Sequence, residues 1–413
     1  MSFSILIALL AGLTLLYRVY SHRPTTPSPK TSSPTDPNPS TPAVTKEPPY
    51  PHDYLTSSTI FSLEHRAIFS KTWLPLTHTS HFPTPGTYHT FSTPNAPLVV
   101  IKSQDSQIRA FHNVCRHRAY PVTRRESGKS TVLACRYHGW SYNTKGELIR
   151  APHFDGVEGF ERGGNGLFEV GVWVDSYGVV WVNLEVGREE GSGLGAEALM
   201  EGCMKTVGRE SFVVGGGKLE GMFNWKIALR ERYLMDALGL VDHRPAYSSP
   251  LHHVRRYFLR KPESTHFFPN AFIFTIPGAR CWLSLSFLPS SESMTSIRYD
   301  LYSQEGKEDV ARQCLLEKLN TRIKKIISCL EAEYQSCVDT SSDTNQTLTS
   351  FDSESIETQN HILRLLKAHT KLEKAEGVEI YPARRESRNN TKYEQAEQLC
   401  RELDCGDNKS LAW

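Results

Sequence analysis

Phe111-His112-Asn113-Val114-Cys115-Arg116-His117-Arg118 and Cys135-Arg136-Tyr137-His138-Gly139-Trp140-Ser141-Tyr142 are the stretches that decide the reading of this 413-residue chain. They read C-x-H and C-x-x-H, with seventeen residues between His117 and Cys135. Thiolate and imidazole alternate within each arm, so each arm can give one sulfur and one nitrogen to a pair of metal ions. Zinc ribbons and fingers instead favour paired C-x-x-C and H-x-x-x-H arms. Gly139 lets the second loop fold back, so that backbone N–H groups can donate to sulfur. Asn143-Thr144-Lys145-Gly146 is a turn signal. Tyr142 can donate a hydroxyl hydrogen bond to a ligand Cys, which tunes such a site.

Two Cys on one iron and two His on its neighbour is the ligand set of a Rieske-type [2Fe–2S] cluster, whose His pair raises the reduction potential. A structural zinc and a chance pattern are the alternatives. The flanking residues of both arms, with Pro121 after the first, resemble the Rieske domain of the ring-hydroxylating and choline-monooxygenase-like oxygenases. On that resemblance Cys115, His117, Cys135 and His138 hold the cluster.

Further along, Phe223-Asn224-Trp225-Lys226 followed by Glu231-Arg232-Tyr233 resembles the start of the catalytic domain in the same family. There a facial triad of two His and one carboxylate holds a mononuclear Fe(II), leaving positions for O₂ and substrate. The resemblance covers roughly residues 52–340. His243-Arg244-Pro245-Ala246-Tyr247-Ser248 matches the first five places of the family's H-x-P-x-x-H, with Ser248 where the second His belongs. Counting from Tyr233 instead puts Gly239 near the first His place. Three explanations stand: a longer loop in which His252 or His253 substitutes, an error in the gene model, or loss of the oxygenase chemistry.

Between Lys307 and Cys337 apolar residues fall at helical spacing, as Leu319, Ile323, Ile326 and Leu330. Glu333 continues that stripe, where a lone carboxylate is costly unless paired or metal-bound. The resemblance aligns Glu333 with the family's carboxylate ligand; a solvated helix residue is the alternative. It also makes Asp236 a candidate for the carboxylate that bridges one subunit's cluster His to the neighbouring subunit's iron.

The expected fold class is α+β: an all-β Rieske domain, then a helix-grip (START-like) catalytic domain, with an N-terminal membrane anchor. The expected domains are an anchor at 1–20, a Pro/Ser/Thr-rich linker at 21–50, the Rieske domain with a preceding helix at 51–190, and the catalytic domain with its tail at 191–413. Residues 3–17 are mostly apolar but short for a span, and continuing through Val19 and Tyr20 brings them into range. A cleaved signal peptide or mitochondrial presequence is the rival reading. Arg18, Arg23 and Lys30 on the C-terminal flank place the catalytic body on the cytosolic side of a single-pass anchor. Residues 21–50 cannot bury a core and read as a tether.

A helix is expected between Tyr54 and Trp73, started by Ser57 or Ser62. Strands are expected at Leu98–Ile101, Ile108–Phe111, Val132–Ala134, Val179–Leu184, Phe267–Phe274 and Trp282–Phe287, and a further helix at about 356–375. By resemblance the last two strands enclose a pocket, and its aromatic residues could bind a quaternary ammonium by cation–π attraction, although such rings are more often core. Gly191-Ser192-Gly193-Leu194-Gly195-Ala196 matches a dinucleotide fingerprint only formally, because six mostly polar residues separate it from the strand before. Gly215-Gly216-Gly217 fits no such fingerprint either.

The 47 basic against 45 acidic residues give no case for nucleic acid as a partner. Nine Cys, seven of them without a regular framework, suit a reducing compartment. The implied activity is a monooxygenase that places one atom of O₂ in a small organic substrate, with choline to betaine aldehyde the nearest named reaction. Its implied partners are an external ferredoxin or NAD(P)H-dependent reductase, the substrate and O₂, with a homotrimer as the assembly. A membrane oxygenase of a hydrophobic substrate and a non-catalytic cluster carrier are the competing functions.

Overall fold

The computed structural model describes residues 50–381, apart from residues 95, 155–156, 158–159, 277, 306–309, 242–262 and most of 186–209 and 340–350. All the described residues belong to one compact unit, Pro48–Trp413. The expected anchor, the linker up to residue 49 and the glycine-rich stretch 191–196 lie outside the described residues.

The chain begins with helix α1 (Ser58–Glu64), whose N-cap Ser57 accepts from the Ile60 N–H at 3.3 Å. A π-helical turn, His65–Phe69, continues it and delivers Arg66, Ile68 and Phe69 into the core. Then come β1 (Leu74–His78), β2 (Thr87–Ser92), β3 (Pro97–Lys102), β4 (Ile108–His112), β5 (Ser127–Lys129), β6 (Val132–Ala134), β7 (Ser141–Asn143), β8 (Leu148–Arg150), β9 (Glu169–Val174) and β10 (Val179–Asn183). Seven of these form an antiparallel sheet in the order β1-β10-β9-β4-β3-β2-β5. The short strands β6-β7-β8 form a separate sheet. The first cysteine arm leaves the end of β4, and the second is the loop that joins β6 to β7.

A second antiparallel sheet follows, in the order β11-β15-β14-β13-β12, from β11 (Phe212–Gly221), β12 (Ser264–Phe267), β13 (Ala271–Ile276), β14 (Cys281–Pro289) and β15 (Thr295–Ser303). Helix α2 (Glu231–Ala237) lies between β11 and β12 in sequence. Helices α3 (Val310–Asp339) and α4 (Ser353–Glu376) complete the described elements. Leu319, Ile323, Ile326 and Leu330 of α3 share one hydrophobic core with Phe272, Phe274, Leu283, Leu285, Ile297 and Leu301 of the sheet. Helix α4 opens at Asp352, whose carboxylate accepts from the Ser355 N–H at 2.9 Å, and closes on Gly377 in the left-handed region.

Three expectations change. The run Phe267–Phe274 is not one strand. Phe268, Pro269 and Asn270 turn the chain, and β12 pairs back on β13 with Phe267 opposite Ala271. Strand β14 extends beyond the expected Trp282–Phe287 to Cys281–Pro289 and is buried on both faces along most of its length. The single-pass membrane localisation is corrected as well: no helix among the described residues is long and apolar enough to cross a membrane. Helix α3 is long enough, but Arg322, Lys324, Lys325 and Glu331 lie along its middle and end. One such ion at a bilayer centre costs about 2.5–3.5 kcal/mol.

Candidate metal centre

The two arms are built alike. In the first, the Ala119 N–H donates to the Cys115 carbonyl at 3.0 Å, and the Cys115 N–H donates to the Tyr120 carbonyl at 2.8 Å. In the second, Gly139 donates to Cys135 at 3.0 Å and Cys135 to Trp140 at 2.9 Å. The fourth residue after each Cys takes positive φ, 56° at Ala119 and 72° at Gly139. Gly adopts that conformation without cost, whereas Ala is strained in it. The two tight turns carry both cysteines and both histidines. The difference between C-x-H and C-x-x-H changes only where in the turn the imidazole leaves.

Around them is a compact apolar base of Val99, Phe111, Leu133, Leu148 and Phe154. The His117 ring stacks on Trp140 at 5.1 Å and meets Phe154 edge-on at 5.2 Å. Its centroid is 4.6 Å from that of His138. Asn113 locks the first arm, its side chain donating to the Thr123 carbonyl at 2.8 Å and accepting from the Thr123 N–H at 3.0 Å. Arg116 ties the same arm to the far side, donating to the Gly166 carbonyl at 2.8 Å while its guanidinium lies over the Phe168 ring.

Electrostatics identify what the pair of sulfurs is prepared for. A hydrogen bond from Cys135 holds the Cys115 thiol down to about 6, against the opposing effect of burial and with help from the Tyr142 hydroxyl and backbone N–H groups. Cys135 is pushed up, first by facing Cys115 and then by burial. The two sulfurs therefore face each other within hydrogen-bond reach. The Tyr142 hydroxyl lies 3.3 Å from Cys115 Sγ and accepts the Arg116 N–H at 3.0 Å. Its own proton is left to point at sulfur, while burial followed by the Cys115 charge raises its pKa. Two adjacent thiols, two adjacent imidazoles and a hydroxyl aimed at sulfur fit a [2Fe–2S] cluster held by Cys115, Cys135, His117 and His138.

The second expected metal site does not assemble in this way. Glu333 is off the buried stripe of α3, which runs from Leu330 to Tyr334 and Cys337. Its Oε2 accepts from Arg230 Nη2 at 2.6 Å, and Arg230 packs over the Tyr233 and Phe351 rings. A guanidinium that close neutralises the carboxylate and repels a dication, so Glu333 as placed does not fit a metal ligand. Asp236 is exposed on α2. His243, Ser248, His252 and His253 lie outside the described residues. Apart from the two arms, no group of three or more His, Cys, Asp and Glu side chains among the described residues is placed to hold a metal ion.

Asn224-Trp225-Lys226 has a different task from catalysis. Lys226 Nζ is bonded to Glu64 and donates to the Tyr54 carbonyl at 2.5 Å, and Trp225 Nε1 donates to the other Glu64 oxygen at 2.8 Å. Asn224 donates to the Leu55 and Glu292 carbonyls. Gln359 of α4 donates to the Lys226 carbonyl at 2.8 Å. This buried knot joins α1, the entry to α2 and α4. The only local sign of this pair is a Lys set among apolar residues, and nothing near it in sequence names Glu64, 162 residues away.

The expected aromatic wall is core. Phe272 and Phe274 stack at 6.0 Å, Phe287 meets Phe272 edge-on, and none is more than 1% exposed. A cleft of about 270 Å³ lies elsewhere, lined by His89, Phe91, Glu126, Lys218, Arg298 and Asp300 among others, and holds none of the expected site residues.

Residues 72–161 match the family model of the Rieske [2Fe-2S] domain. The chain is 31% identical over 189 residues to the carnitine monooxygenase oxygenase subunit of Acinetobacter pittii, covering 45% of this chain and 50% of that protein. It is 37% identical over 122 residues to the glycine betaine monooxygenase oxygenase subunit of Chromohalobacter salexigens, covering 30% of this chain and 27% of that one. The chain thus spans half or less of the length of these curated relatives. Among solved structures, a quaternary ammonium Rieske monooxygenase bound to L-carnitine aligns with TM-score 0.57 and 23% identity, over 70% of this chain and 85% of that one. A naphthalene 1,2-dioxygenase aligns with TM-score 0.56 and 20% identity, over 71% and 80%. At these identities the structural likeness is one of fold.

Proposed function

We propose, from a chain that is a homologue of the Rieske oxygenases and carries their [2Fe–2S] domain, that it is the oxygenase component of a system acting on a small quaternary ammonium compound. The observation that carries this reading is the pair of matched cysteine–histidine turns joined to a sheet-and-helix body of oxygenase fold. The net reaction takes O₂, two electrons and two protons, places one oxygen atom in the substrate and releases the other as water. When bound, the cluster supplies electrons singly at a potential raised by its two His ligands. Cys115 and Cys135 would hold one iron, and His117 and His138 the other. Tyr142 sets the charge at Cys115, and Trp140 with Phe154 fixes the His117 ring and keeps water from it. A reductase or ferredoxin supplies the electrons. In a homotrimer, exposed Asp236 would be the carboxylate facing a neighbour's cluster His. Carnitine and glycine betaine are the substrates named for the relatives, and choline belongs to the same chemical class.

The test is substrate-dependent O₂ consumption by the reconstituted protein with choline, glycine betaine and carnitine, alongside iron analysis. Turnover of one of them with about three irons per chain supports the oxygenase. A second reading, an electron carrier with a cluster only, is favoured by the Arg230–Glu333 ion pair and by Ser248 in the second His place. It predicts about two irons per chain and no substrate-dependent O₂ consumption.

A further inference from the structure

The cleft of about 270 Å³ is lined from both sheets. Side chains alternate along β15. Ile297, Tyr299 and Leu301 turn into the core shared with α3, so Ser296, Arg298 and Asp300 line the cleft on the opposite face. His89 and Phe91 of β2, with exposed Glu126 just before β5, form the wall given by the first sheet. None of the described residues of the cluster arms or of α3 lines it.

Arg298 is held in this cleft as a fixed donor. Its Nε donates to Asp300 Oδ2 at 3.0 Å, and its guanidinium lies over the Phe91 ring, 4.6 Å from the centroid. His81 Nε2 stands 3.7 Å from the other Asp300 oxygen. Nη1 and Nη2 of Arg298 are left without a protein hydrogen bond among the described residues. The Ser296 hydroxyl, on a residue only 5% exposed, is left in the same way. Lys218 stands directly opposite Arg298 in the β11–β15 pairing, on the same face. Like charges so placed are destabilising. Glu220 lies 3.6 Å from Lys218, but both side chains are more than half exposed, so water and salt screen that contact. His89 adds no positive charge at neutral pH: burial lowers its pKa, the His81 carbonyl opposes the shift, and the Arg298 charge adds to it. Two cations side by side, one with a free planar fork, match a carboxylate bound bidentately. Glu126 on the first-sheet wall sets a limit, because a second negative charge on the ligand would meet it.

We propose that this cleft is a binding site for a small monocarboxylate, its carboxylate seated on the Arg298 fork beside Lys218 and its uncharged or cationic remainder against Leu288 and towards Glu126. A ligand there touches both sheets and none of the expected metal ligands, so it acts as an effector that clamps the cluster domain to the body. The inference stands apart from the proposed oxygenase activity, since no lining residue takes part in it.

The experiment titrates the reconstituted full chain with butyrate in a calorimeter at constant ionic strength, with butyramide as the uncharged control and inorganic phosphate as the dianion. Butyrate should bind once per chain, butyramide should not bind, and phosphate should bind more weakly than butyrate. Arg298→Gln should weaken butyrate about 10- to 100-fold, the loss expected for charged hydrogen bonds. Arg298→Lys, which keeps the charge and loses the fork, should fall between the two. If Arg298→Gln alters the circular dichroism spectrum, Lys218→Gln carries the test, because that side chain is exposed and its loss leaves the sheet intact; a two- to threefold weakening is expected. Butyrate affinity unchanged in the folded variants overturns the proposal, as does equal binding of butyramide. Tighter binding of phosphate than of butyrate overturns the ligand class. No binding of butyrate, with sedimentation showing that Lys218→Gln dissociates an oligomer, gives the cleft to a second copy of the chain and overturns the proposal as well. Turnover is not the readout, so failure of the oxygenase reading would leave these results standing.

Discussion

Removing one partner of the Lys226–Glu64 pair should destabilise the body sharply, and removing both should cost much less. Both side chains are essentially out of solvent, Lys226 at 1% and Glu64 at 0%. Burial lowers the Lys226 pKa, with Glu64 opposing the shift, so the ammonium depends on its carboxylate. Lys226→Met leaves the Glu64 carboxylate with only the Trp225 N–H, an uncompensated buried charge. Breaking such a pair from one side typically costs about 3–5 kcal/mol. Glu64→Gln leaves the ammonium with the Tyr54 carbonyl and the Tyr54 ring, whose centroid is 3.9 Å from Nζ. Its loss should fall near the lower end, about 3 kcal/mol. In the double variant E64Q/K226M no charge remains buried, and the cost should fall to the hydrogen bonds alone, about 1–2 kcal/mol. Urea unfolding followed by circular dichroism, on all four proteins at one pH, measures the cycle. Additive single losses, or single losses under about 1 kcal/mol, would refute the argument that the pair is desolvated and mutually dependent. The cluster spectrum should survive all three substitutions, because the arms rest on a separate apolar base.

Three further outcomes are expected. Tyr142→Phe removes the hydroxyl aimed at Cys115 Sγ. That bond favours the more negative, reduced form, so the cluster potential should fall by about 45 mV for about 1 kcal/mol of lost hydrogen bonding, read by a spectroelectrochemical titration. Ala119→Gly relieves the left-handed strain at φ 56°. Against the backbone entropy that Gly adds, the net gain should be about 0.5–1 kcal/mol in urea unfolding, and a loss would argue against the turn geometry. His78 is buried, accepts from the Ser80 N–H at Nδ1 and hydrogen-bonds the Tyr177 carbonyl through Nε2, and burial lowers it to about 4. Its folded pKa lies below the unfolded 6.5, so its share of stability is complete above pH 6.5 and is lost as pH falls from there towards 4. The slope of unfolding free energy in that window should be about one proton shallower in His78→Gln.

The cluster arms were legible because their information is local. Four ligands within 24 residues, with a turn-forming Gly and a Tyr at fixed offsets, leave few other structures to adopt. Helix α3 was legible for the same reason, since a periodic apolar stripe is written along a single element. Glu333 shows where that logic stops: one step of drift moved the buried place to Tyr334 and left Glu333 facing Arg230. The reading of Phe267–Phe274 as one strand failed because an apolar run does not show which way the backbone turns at Phe268, Pro269 and Asn270. The run Gly215-Gly216-Gly217 had no local meaning at all. In the fold it lies against β15, where a Cβ at Gly217 would meet the Tyr299 hydroxyl at 2.6 Å and one at Gly216 would collide with the Asp300 carboxylate. That requirement comes from a strand some eighty residues later and could not be read in advance.

Two arginines tie α2 to α3 where the resemblance implies a shared metal. In a facial triad one ion joins a helix-borne carboxylate to histidines from another segment, and so fastens the two segments mechanically as well as chemically. Here the same two neighbourhoods, α2 and α3, are fastened at both ends by side chains. Arg230, at the N-cap of α2, pairs with Glu333 near the end of α3. Arg322, earlier on α3, is bonded to the Leu238 carbonyl at the other end of α2. Gly239 makes that second tie feasible, since a Cβ there would lie 2.7 Å from the Arg322 guanidinium. The place near which a first histidine ligand was counted is thus occupied from α3 by a cation, and a larger residue at 239 would have to displace it. Two guanidiniums in these positions keep α2 on α3 through hydrogen bonds and charge, and they make the same ground unfavourable for a dication. These ties hold α2 on α3 through protein groups alone, so the shape of the body is no argument that a second metal is bound at Glu333.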